Sequence, residues 1–307
     1  MAGYLVECVP NVSEGRRQDV LDQIQAAIQE VKGVAVLDRH ADPIHNRAVF
    51  TFAGEIGAVA EAAFRLIREA AATIDLRTHR GVHPRIGAAD VVPFVPIGET
   101  PMAVCVELAR RVGRRVGAEL DLPVFLYGEA AQDPSRKRLA DVRRGEYEGL
   151  VQSIVDDALR RPDFGPSRLG PAGATAIGAR PFLVAYNVNL RTPELATATA
   201  IARAIRESSG GLPAVQARGF ATADPAIQQV STNVLDTART PLHVLFAAIE
   251  REASARGATV VGSELVGLVP TAALADVARD ALRFEHLDAD ATIESRLLSR
   301  TFERWRG

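Results

Sequence analysis

The chain's periodicities predict an α+β fold made of two units with one topology. Three observations carry this. The order strand, helix, strand, strand, helix, strand is read twice along the 307 residues. A stretch rich in Pro and Gly, RPDFGPSRLGPAG over 161–173, lies between the two readings. Each predicted helix carries its apolar residues at helical spacing, so each has one face to bury on a sheet. That strand order is the split βαβ, or ferredoxin-like, unit.

Residues 5–9 read as the first strand, closed by Pro10 and Asn11, and Val20, Leu21, Ile24, Ala27, Ile28 and Val31 then fall on one helical face. Gly33 ends that helix. Residues 34–37 form a second apolar strand, and a polar connection, DRHADPIHN, leads to a third over 47–52. The clearest helix follows, with Val59, Ala63, Leu66, Ile67, Ala70 and Ile74 on one face. A bent loop over 78–90, THRGVHPRIGAAD, precedes a strand through Val91, Val92, Phe94 and Val95. Thr100 as N-cap with Pro101 after it predicts a further helix, and residues 124–127 a further strand.

From Glu129 the chain turns polar, then forms a helix through Val151, Ile154, Val155 and Leu159. With the boundary near 161–173, the domains are expected at 1–178 and 179–307. In the second, a strand over 182–190 leads to a helix started by Thr192 and Pro193, followed by strands over 214–221 and 227–235. Thr240 and Pro241 start another helix, and residues 259–269 form a last strand. The tail, 271–307, adds helices expected to cover a sheet face or edge.

With 47% hydrophobic and 24% charged residues the chain can bury a sizeable core. A formal net charge of -2 points to neither a nucleic-acid nor a membrane surface. Cys8 and Cys105 stand in apolar surroundings and read as small core residues in a reducing compartment. The N-terminus has no charged n-region or long apolar run, so a cytoplasmic location is expected.

The candidate chemistry centres on the 78–90 loop. Gly81 and Pro84 argue against helix there, and loops held by rigid neighbours carry function disproportionately. An imidazole near its usual pKa takes and gives protons at neutral pH, which makes His83 the first candidate for acid–base work. His79 precedes it by four residues, a spacing that makes a metal pair only on a helix, so no metal site is expected. Asp38, Asp42, Asn46 and Arg47 bracket the predicted connection between strands two and three. Its carboxylates can hold a cation and its Arg an anion, or all four can be solvated turn residues. Asn187 and Asn189 share one face of a predicted strand, as in a cleft wall or a solvated sheet face. No phosphate-loop, dinucleotide or GxSxG motif is present.

Several motifs together, LVECVPNVSEG, HPRIGAAD, LYGEAAQDPSR, RRGEYE, PDFGPS, FLVAYNVNL, QVSTNVLD and VGSELVGLVP, resemble the formiminotransferase domain family, in order along nearly the whole chain. The resemblance implies two ferredoxin-like subdomains with a cleft between them, in a homodimer, and no cyclodeaminase module. It also implies transfer of a formimino group from N-formimino-L-glutamate to tetrahydrofolate, small-molecule chemistry with no metal, nucleic acid or membrane partner. The family's catalytic histidine is that of the HPR motif, here His83, and its folate-binding loop follows DFGPS, here Gly165, Pro166 and Ser167 on to Gly173. On charge and location alone, Asp38 or Asp42 would hold the amidinium, and Arg47, Arg85 or Arg180 the glutamate carboxylates. Two departures stand out: Val82 where the family commonly has Glu, and a folate loop one residue shorter than in the animal proteins. Formyl transfer, from N-formylglutamate or 5-formyltetrahydrofolate, and folate binding without turnover are the alternatives.

Overall fold

The structure, a computed structural model, describes residues 3–296. Two compact units divide the chain, Met1–Pro181 and Phe182–Gly307. The 161–173 stretch lies inside the first. There Phe164 packs against Gly113 and Gly117 of a helix, and Arg136 pairs with Asp163 at 2.7 Å.

In the first unit the chain runs β1 (Leu5–Cys8), β2 (Asn11–Val12), α1 (Gln18–Gln29), β3 (Val34–Asp42), β4 (Arg47–Glu55), α2 (Ile56–Thr73), β5 (Ala89–Ile97), α3 (Met102–Glu119), β6 (Val124–Gly128), α4 (Leu139–Val142), α5 (Glu146–Asp156) and β7 (Thr175–Ala179). The predicted first strand is broken at Val9 and Pro10, since proline has no N–H to give the ladder. Both pieces still pair antiparallel with β4 on one side and β5 on the other. β3 pairs with β4, β7 runs parallel to β5, and β6 runs parallel to β7.

Alternation decides what each face of this sheet meets. Val6, Cys8, Phe50, Phe52 and Phe94 are fully buried on the side covered by α1, α2 and α3, joined there by Leu21, Ile24, Leu66, Ile67 and Leu108. Each such aliphatic side chain contributes roughly 1.5–3 kcal/mol over staying exposed. Cys8 and Cys105 are both buried in this core as free thiols. On the other face, Val91, Phe125, Tyr127 and Ala176 are covered by Val142, Leu150 and Ile154 from α4 and α5. The cross-strand register places Glu7, His40, Asp42 and Arg47 on that same second face.

Two local expectations are corrected. The connection DRHADPIHN is mostly strand: β3 runs on to Asp42 past a bulge between Val36 and Asp38, because pairing with β4 outweighs the weak strand propensity of Asp and His. Thr100 does not cap α3, whose N-cap is Pro101. Its hydroxyl instead accepts from Leu5 N at 3.2 Å and donates to Leu5 O at 2.9 Å, tying β1 to the end of β5.

The second unit runs β8 (Val184–Arg191), α6 (Leu195–Ile205), β9 (Val215–Ala221), β10 (Ile227–Val234), α7 (Leu242–Ser254), β11 (Thr259–Val266) and α8 (Thr271–Leu282). Its sheet is antiparallel with order β11-β8-β10-β9. Val184, Val188, Leu190, Val230 and Val234 face α6 and α7, while Asn187 and Asn189 share the opposite face. There Gln229 donates to Asn189 at 2.9 Å and Asn187 to Glu264 at 3.3 Å. Residues 297–307 of the predicted tail lie outside the described residues.

Candidate active site

The 78–90 loop joins α2 to β5 without helix, as Gly81 and Pro84 require. Four segments hold it. Asn46, buried in the β3–β4 turn with φ 49°, accepts from Gly15 N at 3.0 Å, donates to Arg80 O at 3.0 Å, and offers its own carbonyl to His79 Nε2 at 3.0 Å. Asn is among the few residues that tolerate this left-handed conformation. Ser13 donates its hydroxyl to Gly87 O at 2.7 Å and its N–H to Ala88 O at 2.8 Å. Residues 172–174 run beside 86–88, with Ala88 N bonded to Ala172 O at 2.8 Å and Ala174 N to Ile86 O at 2.9 Å. At the start of α5, Tyr147 N bonds Arg85 O at 2.9 Å.

Within this frame the two loop histidines do different work. His79 is buried and neutral by arrangement: Nε2–H donates to the Asn46 carbonyl while Nδ1 accepts from Arg85 Nε at 3.2 Å. Burial depresses its pKa. Arg85 then spends the rest of its fork on Glu148, at 2.8 and 2.7 Å, and on Glu146 at 3.1 Å. A cavity of about 480 Å³ opens on this side of the loop, lined by His79, Arg80, Arg85 and Glu146 among others, with His83 outside it.

His83 turns to the second face of the sheet. Its Nε2 lies 2.7 Å from Nη1 of Arg47 at the start of β4. A guanidinium can only donate, so Nε2 is the acceptor and the imidazole is neutral. Burial, and after it the positive charges of Arg47 and Arg143 and the ring of His45, push its pKa down to about 2. Arg143 follows α4 directly and pairs with Asp90. Asp90 also accepts from Ile86 N at 2.8 Å, so one buried carboxylate positions both the loop and the guanidinium. His45 Nδ1 sits 2.5 Å from Asp42 Oδ2, and its ring lies 6.4 Å from that of His83. Burial would raise the Asp42 pKa, but bonds from the His45 backbone and ring and from Ile44 N hold it below the usual carboxylate range.

With its pKa pushed down to about 2 rather than near the usual value expected from sequence, the imidazole is a poor base in this state, and an anionic substrate that offsets the two guanidiniums would suit it for proton transfer. Comparison with known proteins supplies the family. Residues 5–180 match the family model described as the formiminotransferase domain, N-terminal subdomain, and residues 185–294 that of the formiminotransferase domain. The chain belongs to the formiminotransferase domain family. It is 47% identical over 295 residues, 95% of this chain and 97% of the other, to a protein of Thermoplasma acidophilum named glutamate formimidoyltransferase. A Streptococcus pyogenes protein of the same name is 43% identical, with 92% of this chain and 95% of the other covered. The formimidoyltransferase-cyclodeaminase of Mus musculus is 47% identical over 89% of this chain, which spans 52% of that protein.

Within this formiminotransferase domain the other predicted residues scatter around the loop. Asp38 lies on β3 opposite Thr51, four residues up the strand from Asp42. Arg180 follows β7, donates to Pro181 O at 3.0 Å, and lies close enough to Glu7 and Tyr127 to act on both. Gly165, at φ 80°, packs on the Leu122 carbonyl, Pro166 is half-buried and Ser167 is exposed. Gly173, at φ 71°, bridges Gly87, so the stretch after DFGPS ends against the histidine loop. Val82 is 63% exposed. Arg143, Asp90 and Glu148 were missed by sequence reasoning. The motif RRGEYE carries Arg143 and Glu148 and HPRIGAAD carries Asp90, but only the end of α4 distinguishes Arg143 from Arg144.

Proposed function

We propose that the chain is a glutamate formimidoyltransferase, moving the formimino group of N-formimino-L-glutamate to N5 of tetrahydrofolate, with His83 as general acid and base. The observation that carries this is 47% identity across nearly all of both chains to a protein of that name. His83 beside Arg47 and Arg143 supports it.

In this reading, neutral N5 attacks the amidine carbon and forms a C–N bond. His83 Nε2 takes the proton that N5 must shed. It then passes that proton to the glutamate nitrogen, whose C–N bond breaks, releasing L-glutamate and leaving 5-formiminotetrahydrofolate. One base serving both steps is worth about 10² to 10⁴ in rate. Asp42 rather than Asp38 holds the amidinium, being next to Arg47 across the hairpin. Arg47 receives a glutamate carboxylate, with Arg180 as a further candidate, while Asn46, buried with its amide committed to Gly15 N and Arg80 O, holds the loop. Arg85 shapes the loop through Glu148. The stretch Gly165, Pro166, Ser167 to Gly173 contacts the folate.

The strand order of each unit, with the first strand central and the fourth beside it, supports two ferredoxin-like subdomains, the first carrying the histidine loop. A cytoplasmic homodimer with no metal completes the proposal. The test is turnover of N-formimino-L-glutamate with tetrahydrofolate by the purified protein, wild type beside His83→Ala. Loss of about a hundredfold or more in the variant is expected. Activity with N-formylglutamate or 5-formyltetrahydrofolate alone would replace the donor, and folate binding without turnover would remove the enzyme reading.

A further inference from the structure

In the free protein the basic nitrogen of His83 is already occupied, by a group that cannot be its reaction partner. Arg47 Nη1 donates to Nε2 at 2.7 Å, and a lone pair so engaged does not accept a second proton. Arg143 stands on the same group of charges, held by Asp90, yet its Nε is buried with no hydrogen-bond partner. A buried guanidinium N–H left unmatched marks a place where an acceptor is missing. Two guanidiniums this close also repel, and burial and Arg143 both lower the pKa of Arg47. An incoming carboxylate relieves all three tensions at once.

We propose that Arg47 and Arg143 together receive one carboxylate of the donor substrate, and that Arg47, in turning to it, uncaps Nε2 of His83. The proposal rests on the formimidoyltransferase reading and deepens it: the base is released by the substrate it is to serve. The groups facing His83 fit this. Arg47 comes from β4, Arg143 from the end of α4, His45 from the β3–β4 turn and its partner Asp42 from the end of β3. Asp90, from β5, is committed to Arg143 and to Ile86 N, and Asp42 to His45 and Ile44 N. Neither carboxylate is bonded to Arg47, so the anion that draws Arg47 away comes with the ligand. Once a carboxylate cancels the local positive charge, the imidazole can hold the proton it takes from N5. Arg47 is thus a positioning residue for His83 as well as a substrate ligand, and the device disfavours proton transfer in an empty site.

The test follows the ring of His83 by NMR of protein labelled with ¹⁵N-histidine, across pH 8 to 5, without and with saturating L-glutamate, the product that shares the donor's two carboxylates. His83 is expected to stay neutral throughout this range in the free protein and to show a titration midpoint inside it once glutamate is bound. Arg47→Met is expected to show the raised midpoint without glutamate and no further shift with it. Arg143→Met is expected to raise KM for the donor tenfold or more with a smaller change in kcat, and it provides a second route should Arg47→Met fail to fold. If wild-type protein turns over N-formimino-L-glutamate while His83 titrates identically with and without bound glutamate, the uncapping is wrong and the function stands. If no turnover occurs with that donor and tetrahydrofolate, the function falls and the uncapping with it.

Discussion

Gly87 and Gly173 pair across an isolated antiparallel bridge, and neither position has room for a methyl group. A Cβ on Gly87 would lie 1.7 Å from the Ala174 carbonyl oxygen, and one on Gly173 2.2 Å from that of Ile86. Two segments, the histidine loop and the end of the 165–173 stretch, are therefore in backbone contact. Gly87→Ala must push them apart, and overpacking of this kind costs about 1–3 kcal/mol. The expected outcome is a lower urea midpoint together with lost turnover. Ser167→Ala, at an exposed position of the same stretch, should leave the midpoint unchanged.

Asn46 joins three segments through one side chain and one carbonyl. Asn46→Ala removes the acceptor for Gly15 N and the donor for Arg80 O, and places a Cβ residue without the amide at φ 49°. Gly15 N keeps Glu14 Oε1 at 3.0 Å and Arg80 is exposed, so the loss is that of the bonds themselves, about 0.5–1.5 kcal/mol each. Chemical denaturation should show that loss, and turnover should fall because the histidine loop loses its anchor. Asn46→Gly should relieve the backbone strain but keep the loss of bonds.

The pH dependence of stability carries a signature of His83. Its folded pKa is pushed down to about 2, below the value of about 6.5 in an unfolded chain. Below pH 6.5 the unfolded state binds a proton that the fold does not, so stability is present above that pH and falls as the pH drops. The slope is at most about 1.4 kcal/mol per pH unit for one group, or about 2 kcal/mol between pH 6.5 and 5. Denaturant titrations of His83→Gln should show a flatter profile over that window than wild type. The depressed pKa of His79 leaves a residual slope of the same sign.

Arg85→Lys tests the loop's other anchor. Lys keeps the charge but loses the fork that serves Glu148 and His79 together. A fall in kcat greater than the change in donor KM is expected, since the ion pairs lie on the side of the loop away from His83. A large rise in KM alone would instead make Arg85 a substrate ligand.

The helices were legible in the sequence because an amphipathic period survives any tertiary context: Val59, Ala63, Leu66, Ile67 and Ala70 of α2 are all buried. The alternation of Asn187 and Asn189 likewise fixed their shared face. The second half of β3 was not legible, since Asp38, Arg39, His40 and Asp42 look like turn residues until β4 is there to pair with them. His83 stood out by its neighbours Gly81 and Pro84. Arg143 did not, because its role depends on where a four-residue helix ends and on a buried carboxylate, Asp90, more than fifty positions earlier in the chain. The Pro/Gly-rich stretch suggested a boundary because such composition marks linkers and tight loops equally well. Here it is a tight loop, packed through Phe164.

β7 has consequences for how the first unit is born. It is the strand that β6 pairs with and the one that links β6 to β5, yet it comes last in that unit. A nascent chain that has emerged only to α5 therefore holds β6 without its neighbour, and the backbone of 86–88 without the 172–174 segment that matches it. Such late, long-range closure slows folding and leaves strand edges open meanwhile. The histidine loop is thus assembled near the end of synthesis of its own unit, and a fragment stopped before Gly170 would carry Arg47, His83, Asp90 and Arg143 without the backbone that holds His83 in place.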